Sequence, residues 1–183
     1  MKVDYAQILD ACKDNDREAQ RVLYEEFSPL LLGIGIRYLG SRDCAQDLLH
    51  DAFIRIYTTI HQVKNPEKLR SWMCRVMVST VVDFFRNNRH LEYWEDGHLE
   101  DELDRRNAAD ETFDTDNYSL PNILNAIESL PPAYRTVFNM RAIDEMEFAD
   151  IAKALGIAEV TARTNLIRAR NLLRKYLEKN DER

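Results

Sequence analysis

Residues 147–176 decide the fold and read EFADIAKALGIAEVTARTNLIRARNLLRKY. Apolar residues recur at helical spacing in two runs, and Gly156 separates the runs. Glycine takes the left-handed conformation that ends a helix at little cost, so the pattern predicts a first helix that stops at Gly156. A second, longer helix is predicted from about Glu159. Its apolar stripe consists of Ala162, Leu166, Ala169, Leu173 and Tyr176.

The second predicted helix is basic and, from residue 160 to residue 176, contains no acid. Its basic residues are Arg163, Arg168, Arg170, Arg174 and Lys175. They fall opposite or beside the apolar stripe, because successive residues turn by about 100° around a helix. A basic helix held across a short glycine turn is typical of a helix-turn-helix that binds DNA. A solvated surface helix in an all-α protein is the alternative interpretation.

The composition indicates a small helical protein. The chain has 183 residues, 45% of them hydrophobic and 31% charged, which suits one or two small domains. Five glycines and five prolines argue against a turn-rich β architecture. No apolar run approaches the ~18–20 residues of a membrane span, and no signal-peptide core is present. The scattered cysteines Cys12, Cys44 and Cys74 predict buried thiols and a cytoplasmic location, with neither a disulfide framework nor a zinc site.

The net charge of −7 is unevenly distributed. Eleven acidic residues lie between residues 92 and 117, where only Arg105 and Arg106 oppose them. This segment shows little periodicity, so we interpret it as an acidic flexible linker between two domains. A solvated loop and a mimic of nucleic acid are the other interpretations. Outside the linker the chain is slightly basic, so its overall acidity does not exclude DNA binding.

The N-terminal part predicts four helices. The first covers about residues 5–12, and the second starts at about Asp16 with Asp14 or Asn15 as its cap. Pro29 is expected to kink the second helix. The third follows Ser41, a good N-cap, and the fourth covers about residues 69–88.

Three further strings support one resemblance. They are DLLHDAFIRIY at residues 47–57, LRSWMCRVMVSTVVDFFRNNR at 69–89 and LPPAYRTVFNMR at 130–141. Together with the helix-turn-helix, and in the same order, they resemble the extracytoplasmic-function sigma factors of bacterial RNA polymerase. The resemblance implies an all-α protein with an N-terminal helical bundle and a C-terminal helix-turn-helix domain. We place the domains at residues 1–91 and 118–183, with the linker at 92–117.

The resemblance also implies three sets of contact residues. The helix at 47–57 matches the segment that docks on the clamp helices of the polymerase, which predicts contacts by Asp47, His50, Asp51 and Arg55. Residues from about 64 to 89 match the part that reads and opens the downstream, minus-ten promoter element. The predicted downstream set is Asn65, Arg70, Trp72, Arg75, Ser79, Asp83, Arg86 and Arg89. The helix-turn-helix matches the reader of the upstream, minus-thirty-five element. The predicted upstream set is Thr161, Arg163, Thr164, Asn165, Arg168 and Arg170.

The chemistry of these sets agrees with the implied roles. Exposed arginines and lysines neutralise phosphates, so binding should fall steeply with salt. Thr164, Asn165 and Arg168 carry polar groups that could reach base edges. Trp72 could stack on an unpaired base, although packing in the core is the more frequent role of such a residue.

The two capping positions of the helix-turn-helix depart from the family pattern, as does Asn165, which stands where the family commonly has Arg. Both of its helices usually begin with a capping Ser or Thr, and here Glu147 and Ala158 stand there. A missing N-cap costs about 1 kcal/mol, which Glu159 in the first turn offsets in part through the helix dipole.

We therefore predict a transcription initiation factor that binds core polymerase and promoter DNA and acts without catalysis, cofactor, metal or small-molecule substrate. By the resemblance, an anti-sigma factor is a further partner. A conventional helix-turn-helix repressor or activator, which acts without polymerase, is the alternative function. A metal-dependent phosphohydrolase built on His50 and Asp51 is a weaker alternative, because the other histidines lack ligand spacing.

Overall fold

The computed structural model describes residues 4–88 and 118–181, and in these two ranges the chain is helical without a strand. The all-α prediction is therefore confirmed. The chain divides into two compact units, residues 1–84 and 85–183. The predicted linker lies outside the described residues, as do the boundaries at 91 and 117, so the domain limits stay predictions. Every helix of the described ranges is too short or too polar to cross a bilayer.

The N-terminal helices begin and end close to the predicted residues. Helix α1 covers Tyr5–Lys13, α2 Arg17–Leu39, α3 Arg42–Thr59 and α4 Leu69–Asn87. Two 3-10 turns, Ile60–Gln62 and Pro66–Lys68, connect α3 to α4. Helix α2 continues through Pro29 without interruption, although proline removes one backbone hydrogen bond.

Side chains cap each of the first three helices. Ser41 caps α3 as predicted, since its hydroxyl accepts from the amide of Cys44 at 3.4 Å. The prediction for α2 was wrong: its cap is Asp16, whose carboxylate accepts from the amide of Ala19 at 2.8 Å. The reason lies in the preceding turn, where Asn15 takes the left-handed conformation (φ 59°) that reverses the chain after α1.

Helices α2, α3 and α4 meet closely at one glycine. A Cβ added to Gly35 would lie 2.8 Å from Cε of Met77 and 3.1 Å from Cβ of Ala45. Both neighbours are completely buried. Glycine at residue 35 therefore lets α2 and α3 pack closely, because Ala45 cannot move aside as the flexible end of the Met77 side chain can.

The cysteines differ in exposure. Cys12 is buried as predicted, and burial raises the pKa of its thiol to about 11. The same prediction was wrong for Cys44, which is exposed, because its position in the first turn of α3 faces solvent.

Within residues 118–181, four α-helices pack around one core. They are α5 (Leu120–Ser129), α6 (Pro132–Phe138), α7 (Phe148–Leu155) and α8 (Glu159–Asp181), with a π-helical turn at Asn139–Ile143. Helix α8 packs against α5, α6 and α7. Arg135 is buried in α6 at 5% exposure, and its guanidinium donates to the carbonyl of Glu128 at 2.7 Å near the end of α5. This contact satisfies a carbonyl that the helix itself leaves open.

Candidate nucleic-acid interface

The helix-turn-helix forms where the sequence predicts it. Helix α7 ends at Gly156, which takes the left-handed conformation with φ 62°. The amide of Ile157 then donates to the carbonyl of Ala152 at 3.0 Å, closing the turn. The carbonyl of Ala158 accepts from the amide of Ala162 at 3.1 Å, which places the N-cap of α8 at Ala158. The N-cap of α7 is Glu147, whose side chain makes no capping hydrogen bond.

The buried stripe of α8 is longer than predicted. Ala162, Leu166, Ala169 and Leu173 are buried as expected, Tyr176 is half-buried, and Leu177 extends the stripe. The opposite side of α8 is left open to solvent and carries its basic residues. Since α8 is held by three other helices of its unit, that outward side is a rigid surface.

The predicted upstream set divides by exposure. Thr161 and Arg163 are exposed, and Thr164, Arg168 and Arg170 are half-buried. Asn165, by contrast, is only 7% exposed and lies on the buried side of α8. The structure therefore brings five of the six side chains toward solvent and turns the sixth into the core.

Arg163 is held in place by neighbours on two helices. Its guanidinium donates to the carboxylate of Glu159 one turn earlier and lies 4.3 Å from the ring centre of Phe148 on α7. Arg141 lies over the same ring at 5.2 Å. Cation–π contacts of this kind restrict a guanidinium without removing its charge. No sequence pattern indicated that Phe148 supports Arg163.

Two more polar groups of the upstream set are engaged within the unit. The hydroxyl of Thr164 donates to the carbonyl of Val160 at 2.9 Å. The guanidinium of Arg168 donates to the hydroxyl of Tyr134 on α6 at 3.3 Å. The bond of Thr164 could have been predicted, because a hydroxyl in a helix often donates to the carbonyl four residues earlier. The bond of Arg168 could not, because Tyr134 is 34 residues away in the sequence.

The downstream set lies along α4 and the turn before it. Asn65, Arg70, Arg75 and Arg86 are exposed, and Trp72, Ser79 and Asp83 are half-buried. Asn65 is fixed locally, because its side-chain oxygen accepts from the amide of Glu67 at 2.9 Å. Arg89 lies outside the described residues. The preference for a buried Trp72 is met only in part.

The polymerase set is exposed on α3. Asp47, His50, Asp51 and Arg55 all reach solvent, and Nδ1 of His50 lies 2.8 Å from the carbonyl oxygen of Gln46. Within residues 4–88 and 118–181, no three His, Cys, Asp or Glu side chains come together as a metal site.

One contact joins the polymerase set to the downstream set. The guanidinium of Arg55 on α3 donates to the carboxylate of Asp83 on α4 at 2.8 Å. The two side chains are 46% and 35% exposed, so water screens the attraction between them. The resemblance implies that Arg55 contacts the polymerase and Asp83 contacts DNA, whereas in the structure the two side chains contact each other.

Comparison with known proteins gives two family matches and several relatives. Residues 23–91 match Sigma-70 region 2, and residues 120–173 match Sigma-70, region 4. The RNA polymerase sigma factor SigV of Bacillus subtilis is 27% identical over 81% of this chain and 84% of its own length. The ECF RNA polymerase sigma factor SigW of the same organism is 27% identical over 90% and 92%.

A solved structure is similar at lower identity. It shows the sigma factor RpoE in complex with the anti-sigma factor NepR from Bartonella quintana. The identity is 20%, the match covers 86% of this chain and 98% of that one, and the TM-score is 0.49.

The two Sigma-70 matches follow one another along this chain and together cover more than half of its residues. The chain belongs to the extracytoplasmic-function sigma factors, which direct bacterial RNA polymerase to promoters.

Proposed function

We propose that each of the three residue sets makes a different contact during promoter recognition. The outward side of α8 binds the upstream element, α4 with the turn at Pro66–Lys68 binds and opens the downstream element, and α3 docks on the polymerase. The observation that carries the proposal is the outward side of α8, where exposed or half-buried basic residues lie opposite a continuous buried stripe. The protein then acts by binding in the cytoplasm, without catalysis.

Within the upstream set, the basic residues bind phosphates. Arg163, Arg168 and Arg170 lie on or beside the outward side of α8, where they can neutralise the DNA backbone and release counterions. Phe148 and Tyr134 restrict two of these guanidiniums before DNA arrives, which lowers the entropy lost on binding. Asn165 is left out of the proposed set, because a residue with 7% exposure cannot reach a base edge without leaving the core.

Within the downstream set, Asn65, Arg70, Arg75 and Arg86 supply exposed donors and positive charge. An exposed amide on a fixed turn and cations along one helix suit a displaced single strand, which needs both backbone and base contacts. An anti-sigma factor is a further proposed partner.

Transcription in vitro tests the proposal. Core polymerase supplied with this protein should transcribe a subset of a promoter panel, and core polymerase alone should not. Replacing Asp51 on α3 by arginine should weaken association with core polymerase at low ionic strength. Glu178→Arg, an equal charge change at an exposed position of α8, is the matched control and should leave association intact. If the wild-type protein binds promoter fragments but never the core enzyme, a conventional regulator is the better description.

A further inference from the structure

The outward side of α8 offers fewer free polar groups to base edges than its sequence suggests. The hydroxyl of Thr164 donates to a backbone carbonyl, Asn165 is buried, and Arg168 donates to Tyr134. Arg163 is exposed but paired with Glu159. Donation to a base by Thr164 would break its existing bond, and Asn165 would have to leave the core, whereas Arg163 and Arg168 each keep further N–H donors.

An apolar side chain lies at the N-terminal end of the same surface. Val160 is 69% exposed, the highest exposure among the large hydrophobic residues of the described ranges. At about 100° per residue, it lies almost directly opposite the buried Ala169 and one turn before Thr164. Arg163 and Arg168 lie on either side of it. Val160 therefore lies on the same side of α8 as cations that would hold the helix against DNA.

The major groove contains one apolar feature that a valine can recognise. Thymine presents its 5-methyl group there, whereas the other base-edge features are hydrogen-bond donors and acceptors. In helix-turn-helix proteins, the first residues of the second helix contact base edges. Val160 is the second residue of α8. Its branched methyl groups would replace water around a thymine methyl and would gain nothing against a cytosine at the same position.

We propose that Val160 is a specificity-determining residue that reads the 5-methyl group of one thymine in the upstream promoter element. This inference rests on the proposed function of α8 as the reader of that element. It predicts that the preferred upstream element contains a thymine whose methyl group, rather than its hydrogen-bonding edge, is recognised. Thr161, which is also exposed, is free to contact the neighbouring base or phosphate.

Deoxyuridine substitution tests the proposal, because uracil differs from thymine only by the missing methyl group. The upstream element is first selected from a randomised promoter library with holoenzyme made from core polymerase and the full chain. Each thymine of the selected element is then replaced by deoxyuridine, one at a time, and holoenzyme binding is measured. One position should weaken wild-type binding about fourfold, the effect expected for one buried methyl group.

Substitutions at residue 160 identify the reader. Val160→Ala should bind the thymine promoter about as weakly as wild type binds the uracil promoter, and should no longer respond to the uracil substitution. Val160→Ile, which keeps a branched apolar side chain, is the control and should remain sensitive. Because residue 160 is exposed, neither variant should alter the melting temperature by more than about 4 °C.

Three results would overturn the proposal. They are a selected element without thymine, a wild-type holoenzyme insensitive to every uracil substitution, and a Val160→Ala variant as sensitive as wild type. A different result would refute the proposed function itself, namely that randomising the upstream element leaves holoenzyme binding unchanged.

Discussion

The surface of α8 and the surface formed by α3 and α4 use their charged residues differently. On α8, Arg163 and Arg168 contact side chains of the same unit that carry no predicted role in recognition, Phe148 and Tyr134. On α3 and α4, Arg55 contacts Asp83, a residue assigned to another partner. On α8, the side chains that hold the arginines are therefore not themselves predicted contact residues. On α3 and α4, the arginine is held by a residue that is itself a predicted contact. An arginine of α8 can therefore be tested by a single substitution, whereas Arg55 and Asp83 have to be tested together.

The largest expected effect concerns the close contact between α2 and α3 at Gly35. Gly35→Leu should destabilise the protein by about 3 kcal/mol, because the new side chain would collide with Met77 and Ala45. Gly33→Leu is the matched control in the same helix, since no atom lies within 4 Å of a Cβ added there. Urea unfolding followed by circular dichroism measures both variants. Equal stability of the two would show that the packing of α2 against α3 does not depend on a glycine at residue 35.

The next effect concerns DNA binding by α8. Arg168→Ala should lower promoter use about tenfold with little change in the melting temperature, since one phosphate contact is removed from a half-buried side chain. The slope of log affinity against log salt should fall by about one. Lys175→Ala, an exposed cation two turns further along α8, is the control and should have a smaller effect. Normal transcription by Arg168→Ala would remove Arg168 from the proposed upstream set.

A smaller effect concerns helix capping in the two units. Ala158→Ser should stabilise the C-terminal unit by about 1 kcal/mol, because α8 begins at a residue that cannot cap it. Asp16→Ala should destabilise the N-terminal unit by a similar amount, because it removes a capping bond that exists. Thermal unfolding measures both changes. A melting temperature that is unchanged or lowered by Ala158→Ser would contradict the assigned start of α8.

The smallest effect concerns the ion pair between α3 and α4. Arg55→Gln, Asp83→Asn and the double variant form a cycle whose coupling energy in unfolding should be between about 0.2 and 1 kcal/mol, as for other exposed pairs. Arg21 and Glu25 on α2 provide a comparison pair within one helix. A coupling energy of zero would mean that the contact between α3 and α4 contributes nothing to stability.

The helix-turn-helix was predictable to the residue at its turn because its determinants are local. Gly156 ends α7 and Glu159 starts α8 as the sequence indicates, since a left-handed glycine and an apolar period suffice to specify both. The burial of Asn165 was also available from the sequence. At about 100° per residue, it falls only about 40° from Ala169, inside the arc of the stripe.

The contacts between distant residues were not predictable in this way. Arg168 and Tyr134 are 34 residues apart, Arg55 and Asp83 are 28 apart, and Tyr57 donates to the carbonyl of Gln20, 37 residues away. Periodicity specifies which side of a helix is buried but not which helix covers it. The individual role of each residue in the three sets therefore stays a prediction until the variants are measured.

The bond between Arg55 and Asp83 affects how genetic screens of this protein should be interpreted. A substitution at Arg55 changes the charge beside α4 as well as the charge on the exposed side of α3. One substitution therefore alters two of the proposed binding surfaces. A second-site change at Asp83 that suppresses an Arg55 substitution would restore the balance of charge between α3 and α4 without contacting the polymerase. Allele-specific suppression between these two codons would therefore report an internal contact, not a shared binding partner.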